Sequence, residues 1–307
     1  MLCVLPASGG VLAAPISSLS MPPLPDSLTI MRLNERRQQA VIAEIADEYE
    51  HIPEAEGGGT VAFKDGVDWL CQAIGCGLDS PLATEGVQRI AAFLSDRDAR
   101  PSMDVTDLSG QAAFATLAGA GMVLEHIERV YALDLHEPLV EPDVPGLRIE
   151  ALDMNDEDAL RALVQHRVEG FTEPGAKPTP GEIEAAHRSQ THPRSRGFTA
   201  FIDGQLAGSC GMEVMELAPA EGMEPIRMAS LWGAVVGEPY RRRGIQQALI
   251  ACRLEQGRAE GCTLAVIESE PGIATARNAQ RLGFSLAYTR LGMKAPSRAR
   301  TSGSTGQ

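Results

Sequence analysis

Residues 235–250, VVGEPYRRRGIQQALI, pass from an apolar run through three arginines and a glycine into an amphipathic one. The first part, continuous with IRMASLWGAVV before it, reads as a strand, and IQQALIACRLEQGRAEG after it reads as a helix. A helix that starts directly off a strand leaves its first N–H groups without internal partners, and the positive end of its dipole faces the same way. Such a turn is an anion site, strongest where a glycine lets the backbone approach the ligand. Gly244 stands at that turn, and Arg241, Arg242 and Arg243 add cationic forks suited to a pyrophosphate. A solvated basic loop is the alternative, and the position between strand and helix argues for the anion site.

The rest of the chain makes a local site the better reading of these arginines. Against 27 Lys and Arg stand 41 Asp and Glu, a net charge of −14, whereas a nucleic-acid-binding surface requires the opposite sign. At 307 residues the chain exceeds one ordinary core and suits two. Three prolines in LDLHEPLVEPDVPGLRIEALD, residues 133–153, mark a linker. The expected organisation is a leader over 1–26, a first domain over 27–142, a second over 143–296 and a disordered tail over 297–307. The six cysteines, Cys3, Cys71, Cys76, Cys210, Cys252 and Cys262, have no C-x-x-C pairing and no histidine at ligand spacing. They read as reduced, mostly buried thiols of a cytoplasmic protein without a metal, and no run reaches membrane-spanning length.

In the second domain strands and helices alternate. LRIEAL is a strand, and NDEDALRALVQHRVEGF follows as a helix with an Asn cap and an acidic first turn. GEIEAAHRSQ is a short helix, and GFTAFIDGQLAGSCGMEVMEL gives two strands joined at Asp203-Gly204. After the arginine turn come the strand TLAVIES, the helix ATARNAQRLG and the strand SLAYTRLGMK, predicting an α/β mixed sheet with helices on its faces. The first domain repeats the end of this order. Gly86-Val87-Gln88 parallels Gly244-Ile245-Gln246, and Gly121-Met122 parallels Gly283-Phe284 at nearly the same spacing, the pattern of a diverged duplication. Ala83, Thr84 and Glu85 replace the three arginines, so the first copy is expected to have lost anion binding. It would serve as a packing partner, a wall of a ligand pocket or a homodimer surface.

The arginine turn resembles the acyl-coenzyme A signature of the GNAT superfamily of N-acetyltransferases, Gln/Arg-x-x-Gly-x-Gly/Ala, matched by Arg241 and Gly244. ARNAQRLGF and the strand after it resemble that family's closing helix, loop and strand, so the resemblance covers about residues 147–295. It implies a GNAT-like fold, in two tandem copies with the first degenerate. It implies acetyl-CoA as acyl donor, bound by the backbone N–H groups of Arg243, Gly244, Ile245 and Gln246 with help from Gln247. The strand end Ala234, Val235 and Val236 would hydrogen-bond the pantetheine arm. Gln246 departs from the family's Gly or Ala, which leaves crowding of the pyrophosphate or a bond to it as alternatives.

The implied reaction is acyl transfer to a primary amine of a small molecule or peptide by direct attack in a ternary complex. Ala279 stands where many members carry a tyrosine that protonates the leaving thiolate. Thr275 matches a hydroxyl position of the ribosomal-protein acetyltransferase subgroup, and Asn278 lies on the same helical face. Glu213 is the first candidate for general base and Glu268 the second, with His166, His187 and Tyr288 as further titratable groups near the sheet. Glu169, Glu173, Glu182 and Glu184 would favour a cationic acceptor. The rival reading is an acyl-CoA-binding sensor or scaffold without turnover.

Overall fold

A computed structural model of the chain describes residues 24–296 apart from 137, 140, 141 and 174. Cys3, most of the expected leader and the whole of the expected tail lie outside the described residues. The described residues form seven α-helices and eleven strands. They fall into two compact units that interleave along the chain, residues up to 37 with 128–289, and 38–127 with those from 290 onward.

In the unit containing residues 38–127, the second half of α1 (Ser27–Ile45) is followed by β1 (Glu48–His51), β2 (Thr60–Phe63) and β3 (Gln72–Ile74). Then come α2 (Thr84–Ser95), β4 (Ser102–Thr106), α3 (Gly110–Gly119) and the start of β5 (Val123–Asp134). β1, β2 and β3 pair antiparallel, β3 joins β4 in parallel, and β4 pairs antiparallel with Arg290–Lys294 from the chain's end. Val61, Ala73, Ile90, Leu94, Met103, Leu117 and Met293 form its core.

The unit containing residues 128–289 holds the first half of α1, the rest of β5, then β6 (Leu147–Ala151), α4 (Glu157–Phe171) and α5 (Pro180–Thr191). β7 (Ser195–Ile202), β8 (Gln205–Leu217), β9 (Ile226–Val236) and α6 (Ile245–Ala259) follow, then β10 (Leu264–Ser269), α7 (Ala274–Arg281) and β11 (Ser285–Lys294) as far as Thr289. Its strands lie in the order β5-β10-β9-β8-β7-β6, with β9 and β10 parallel and the other pairs antiparallel. The β7–β8 turn is the predicted Asp203-Gly204, both at positive φ (50° and 77°) as a two-residue hairpin requires. The cap of α4 differs from expectation. Asp156, not Asn155, accepts the amides of Asp158 and Ala159, because Asn155 is drawn back onto Asp153.

Adjacent residues of β8 show which helices share a face. A side chain at Gly208 would point at Ile245 and Leu249 of α6, while Ser209 bonds His166 of α4, so α6 and α4 cover opposite faces. α6 seals its face with Ile245, Leu249, Ile250 and Leu254 against Phe198, Met212, Leu231 and Ile267.

The interleaving follows from strand pairing. In the duplicated pattern β4, α3 and β5 correspond to β10, α7 and β11. Yet β10 pairs with β5, Leu264 opposite Asp134 through Ser269 opposite Arg129, and β4 pairs with β11. Each copy's penultimate strand is thus flanked by the closing strand of the other.

Candidate functional site

The site begins where β9 departs from regular pairing. Gly211 faces Trp232 but Ser209 faces Val235, so β9 carries one residue more than β8 over this stretch, and Gly233 at φ 60° takes up the bulge. Two buried arginines hold it from opposite faces. Arg253 of α6, fully buried, donates to the carbonyls of Gly211 (2.9 Å) and Trp232 (3.2 Å). Arg167 of α4 lies 4.3 Å from the Trp232 ring centre and donates to Gln190 and the Ala186 carbonyl, and burial lowers its pKa to about 10. On the other side, β9 pairs with β10 only from Met228 to Leu231, and both strands continue beyond. Trp232 to Val236 therefore present an unpaired strand edge toward the gap.

At the end of that edge lies the arginine turn. Gly237, Glu238, Pro239 and Tyr240 form a short 3-10 turn, and Arg241 returns a hydrogen bond from Nε to the Val236 carbonyl (3.2 Å). Arg242 and Gly244 sit at positive φ (63° and 85°), and Gly244 caps α6 with no side-chain partner. The first bond into the helix is Ala248 N to Gly244 O. The amides of Arg242 through Gln247 meet no acceptor among the described residues. Six such donors beside three exposed arginines match the charge of a pyrophosphate.

A cleft of about 930 Å³ connects these parts. Ala234, Val235, Val236, Arg241, Gly244, Ile245, Gln246, Gln247, Thr275 and Asn278, all singled out from sequence, line it. Arg243 is exposed beside it and not part of its lining. Gly170 and Phe171 at the end of α4 and Ile273 before α7 also line it. Across the cleft floor α6 and α7 are tied by side chains. Gln247 Nε2 donates to Asn278 Oδ1 (3.1 Å), Asn278 Nδ2 to Gln246 Oε1 (2.7 Å), and Gln246 Nε2 to Thr275 Oγ1 (2.9 Å).

The carboxylates are placed differently. Glu213 is 5% exposed, outside the cleft lining, and each of its oxygens is held by a guanidinium, Arg194 at 2.8 Å and Arg37 at 3.3 Å. Glu268 accepts from Asn34 (2.7 Å) and Arg37 (3.2 Å), and the Tyr288 hydroxyl donates to Glu35 while accepting from Asn34. The α1 residues Asn34, Glu35 and Arg37 were not foreseen; a helix carrying three polar residues on its buried side offers no periodic signal. His166 has Nδ1 2.8 Å from Ser209 Oγ, and burial holds its pKa below the ordinary value. His187 is exposed. Of the acids considered for a cationic acceptor, Glu182 closes the capping box of α5 and Glu184 pairs with Arg188.

The matching turn of the first copy is filled by its own chain. The Glu56 carbonyl accepts from Ala83 N at 3.2 Å, and a side chain at Gly86 would meet that oxygen at 2.1 Å. Arg89 grips the Glu56 carboxylate through Nε (2.7 Å) and Nη2 (2.9 Å), which holds that carboxyl below the usual range. Among the described residues no group of His, Cys, Asp or Glu is arranged to hold a metal, and no helix is long and apolar enough to cross a membrane.

Residues 160–284 match the model of the acetyltransferase (GNAT) family. No curated protein matches the sequence. Among solved structures, a GCN5-related N-acetyltransferase from Kribbella flavida is similar with a TM-score of 0.61 and 16% identity, over 89% of this chain and 96% of that one. One from Sphaerobacter thermophilus gives 0.52 and 17%, over 69% and 66%. A tandem GNAT protein from the clavulanic acid biosynthesis pathway gives 0.54 and 19%, over 79% and 80%. These likenesses agree on the fold: the chain has a GNAT fold of the tandem kind, and residues 160–284 are the part that matches the family's model.

Proposed function

We propose that the protein is an acyl-CoA-dependent N-acyltransferase that moves acetyl from acetyl-CoA to a primary amine of a small molecule or peptide. The observation that carries the reading is that a run of amides without acceptors among the described residues and an unpaired strand edge meet along one cleft. A pyrophosphate fits the first and an extended, amide-bearing arm fits the second, as an added strand would. The amides of Arg243, Gly244, Ile245 and Gln246 would hold the phosphates, with Gln247 beside them, and Ala234, Val235 and Val236 would guide the arm to the bulge.

In the reaction a neutral amine nitrogen attacks the thioester carbonyl carbon, the C–S bond breaks, and the nitrogen's proton leaves to water or a base. Alignment of the two reactants supplies much of the rate, and strand amides at the bulge can stabilise the developing oxyanion. Thr275 and Asn278 are the uncharged polar side chains of α7 that line the cleft, and we assign them to the coenzyme arm and the leaving thiolate. Glu213, held by two guanidiniums, fits an ion-pair role better than that of a free base. The same fact and Ala279 favour, as a second reading, an acyl-CoA sensor without turnover.

Thermal stability with and without acetyl-CoA tests the binding step. Ligand at a hundred times its dissociation constant should stabilise the native state by about 2.7 kcal/mol. Gly244→Glu and Arg243→Glu should lose that shift, the second at an exposed position that does not challenge folding. Acetyl transfer to a panel of amines then separates enzyme from sensor, and no shift in the natural protein at saturating ligand would overturn both.

A further inference from the structure

The side chain of Gln246 departs from the small residue of the signature, and its placement suggests a use. It turns away from the amides of the α6 turn and crosses to α7, where it both accepts and donates. The three bonds run in one direction: Gln247 donates to Asn278, Asn278 to Gln246, and Gln246 to Thr275. Each amide in the middle uses one donor and its oxygen. The series ends on a hydroxyl that accepts a bond and whose own proton meets no acceptor among the described residues.

An oxygen that already accepts an N–H bond is a better donor through its own proton, and bonds in series polarise one another. Thr275 and Asn278 are half-buried and line the cleft together with the Val236 end of the strand edge. A glycine or alanine at 246 could make neither bond. Thr275 would then rotate freely, and Asn278 would keep only Gln247.

We propose that Gln246 is a positioning residue, whose amide, oriented by Asn278, fixes the Thr275 hydroxyl as a hydrogen-bond donor to the coenzyme arm. The proposal rests on the acyl-CoA reading above. It is opposite in sign to crowding, in which the larger side chain obstructs the ligand.

Calorimetric titration of acetyl-CoA into the natural protein, Gln246→Ala, Thr275→Val, Thr275→Ser and the double variant Gln246→Ala/Thr275→Val decides between them. One neutral hydrogen bond corresponds to an affinity change of about five- to tenfold. Gln246→Ala and Thr275→Val should each bind that much more weakly, the double variant no more weakly than either, and Thr275→Ser like the natural protein. Such coupling marks two residues acting as one device. Unchanged or tighter binding by Gln246→Ala, or additive losses in the double variant, overturns the proposal while leaving the functional reading in place. Should Gln246→Ala not fold, the Thr275→Val and Thr275→Ser pair decides, and equal binding by those two overturns it. No binding by the natural protein overturns the functional reading and this proposal together.

Discussion

Glu213 shows how much a residue's role depends on what faces it. As a carboxylate on a strand near the expected acceptor side it is a natural candidate for a base, yet it bridges Arg37 and Arg194 with both oxygens at 5% exposure. Breaking a buried ion pair by removing one partner costs several kcal/mol, because the remaining charge stays desolvated. Glu213→Gln should therefore lower stability by about 3 kcal/mol in denaturant titration. An unchanged midpoint with a large fall in turnover would restore it as the base. His166 makes a prediction with a definite sign. Burial favours its neutral ring, with Glu169 opposing, so its folded-state pKa lies below the unfolded value of about 6.5. The unfolded chain takes up the proton first, so the ring's contribution is intact above about pH 6.5 and is lost as pH falls through the folded value. His166→Asn should flatten the acid-side decline of the melting temperature as pH falls below about 6.5. Equal declines in both proteins would exclude the effect.

Among elements, β9 and α6 are the ones the sequence specifies most fully. An eleven-residue apolar strand, a glycine turn and an amphipathic helix each follow from local chemistry, and the observed bounds Ile226–Val236 and Ile245–Ala259 agree with that reading. The bulge inside β9 was not legible, since a lone Gly233 signals either a bend or a close approach. Here it is both: φ is 60° and a side chain would sit 2.7 Å from Arg167 Cδ. The buried arginines that hold the bulge also escaped notice, although Arg253 stands within the apolar run ALIACRLEQ, where an unpaired cation would be costly. Gly233→Ala should push Arg167 off Trp232, lower stability by about 2 kcal/mol and weaken acetyl-CoA binding, because the strand loses the bulge beside which its free edge parts from β10. Indole fluorescence and thermal shift read the two effects, and unaltered fluorescence with full binding would remove the bulge from the site. By contrast β1, β2 and β3 have only three or four residues each, too few for periodicity to speak.

At the scale of the whole chain, the duplication was readable as repeated order and paired glycines, but the pairing was not. β5 and β11 carry similar alternating patterns, and a single sequence does not say which of two equivalent strands lies beside β10. Pairing decides what a fragment can do. Residues 143–307 include β6 to β11 but lack Arg129–Asp134, which covers the β10 edge, and the α1 residues that hold Glu213 and Glu268. Residues 24–142 lack Arg290–Lys294, which covers β4. Each piece would expose an apolar strand edge, a ready template for aggregation. Were the two copies independent consecutive domains, residues 143–307 would instead fold alone. We therefore expect residues 143–307 expressed alone to be insoluble or aggregated by size-exclusion chromatography. Co-expression with residues 24–142 should give a soluble complex of one copy of each. A monomeric, cooperatively melting fragment 143–307 would show that the exchanged strands are dispensable, and that the domains part at the linker as their prolines suggest.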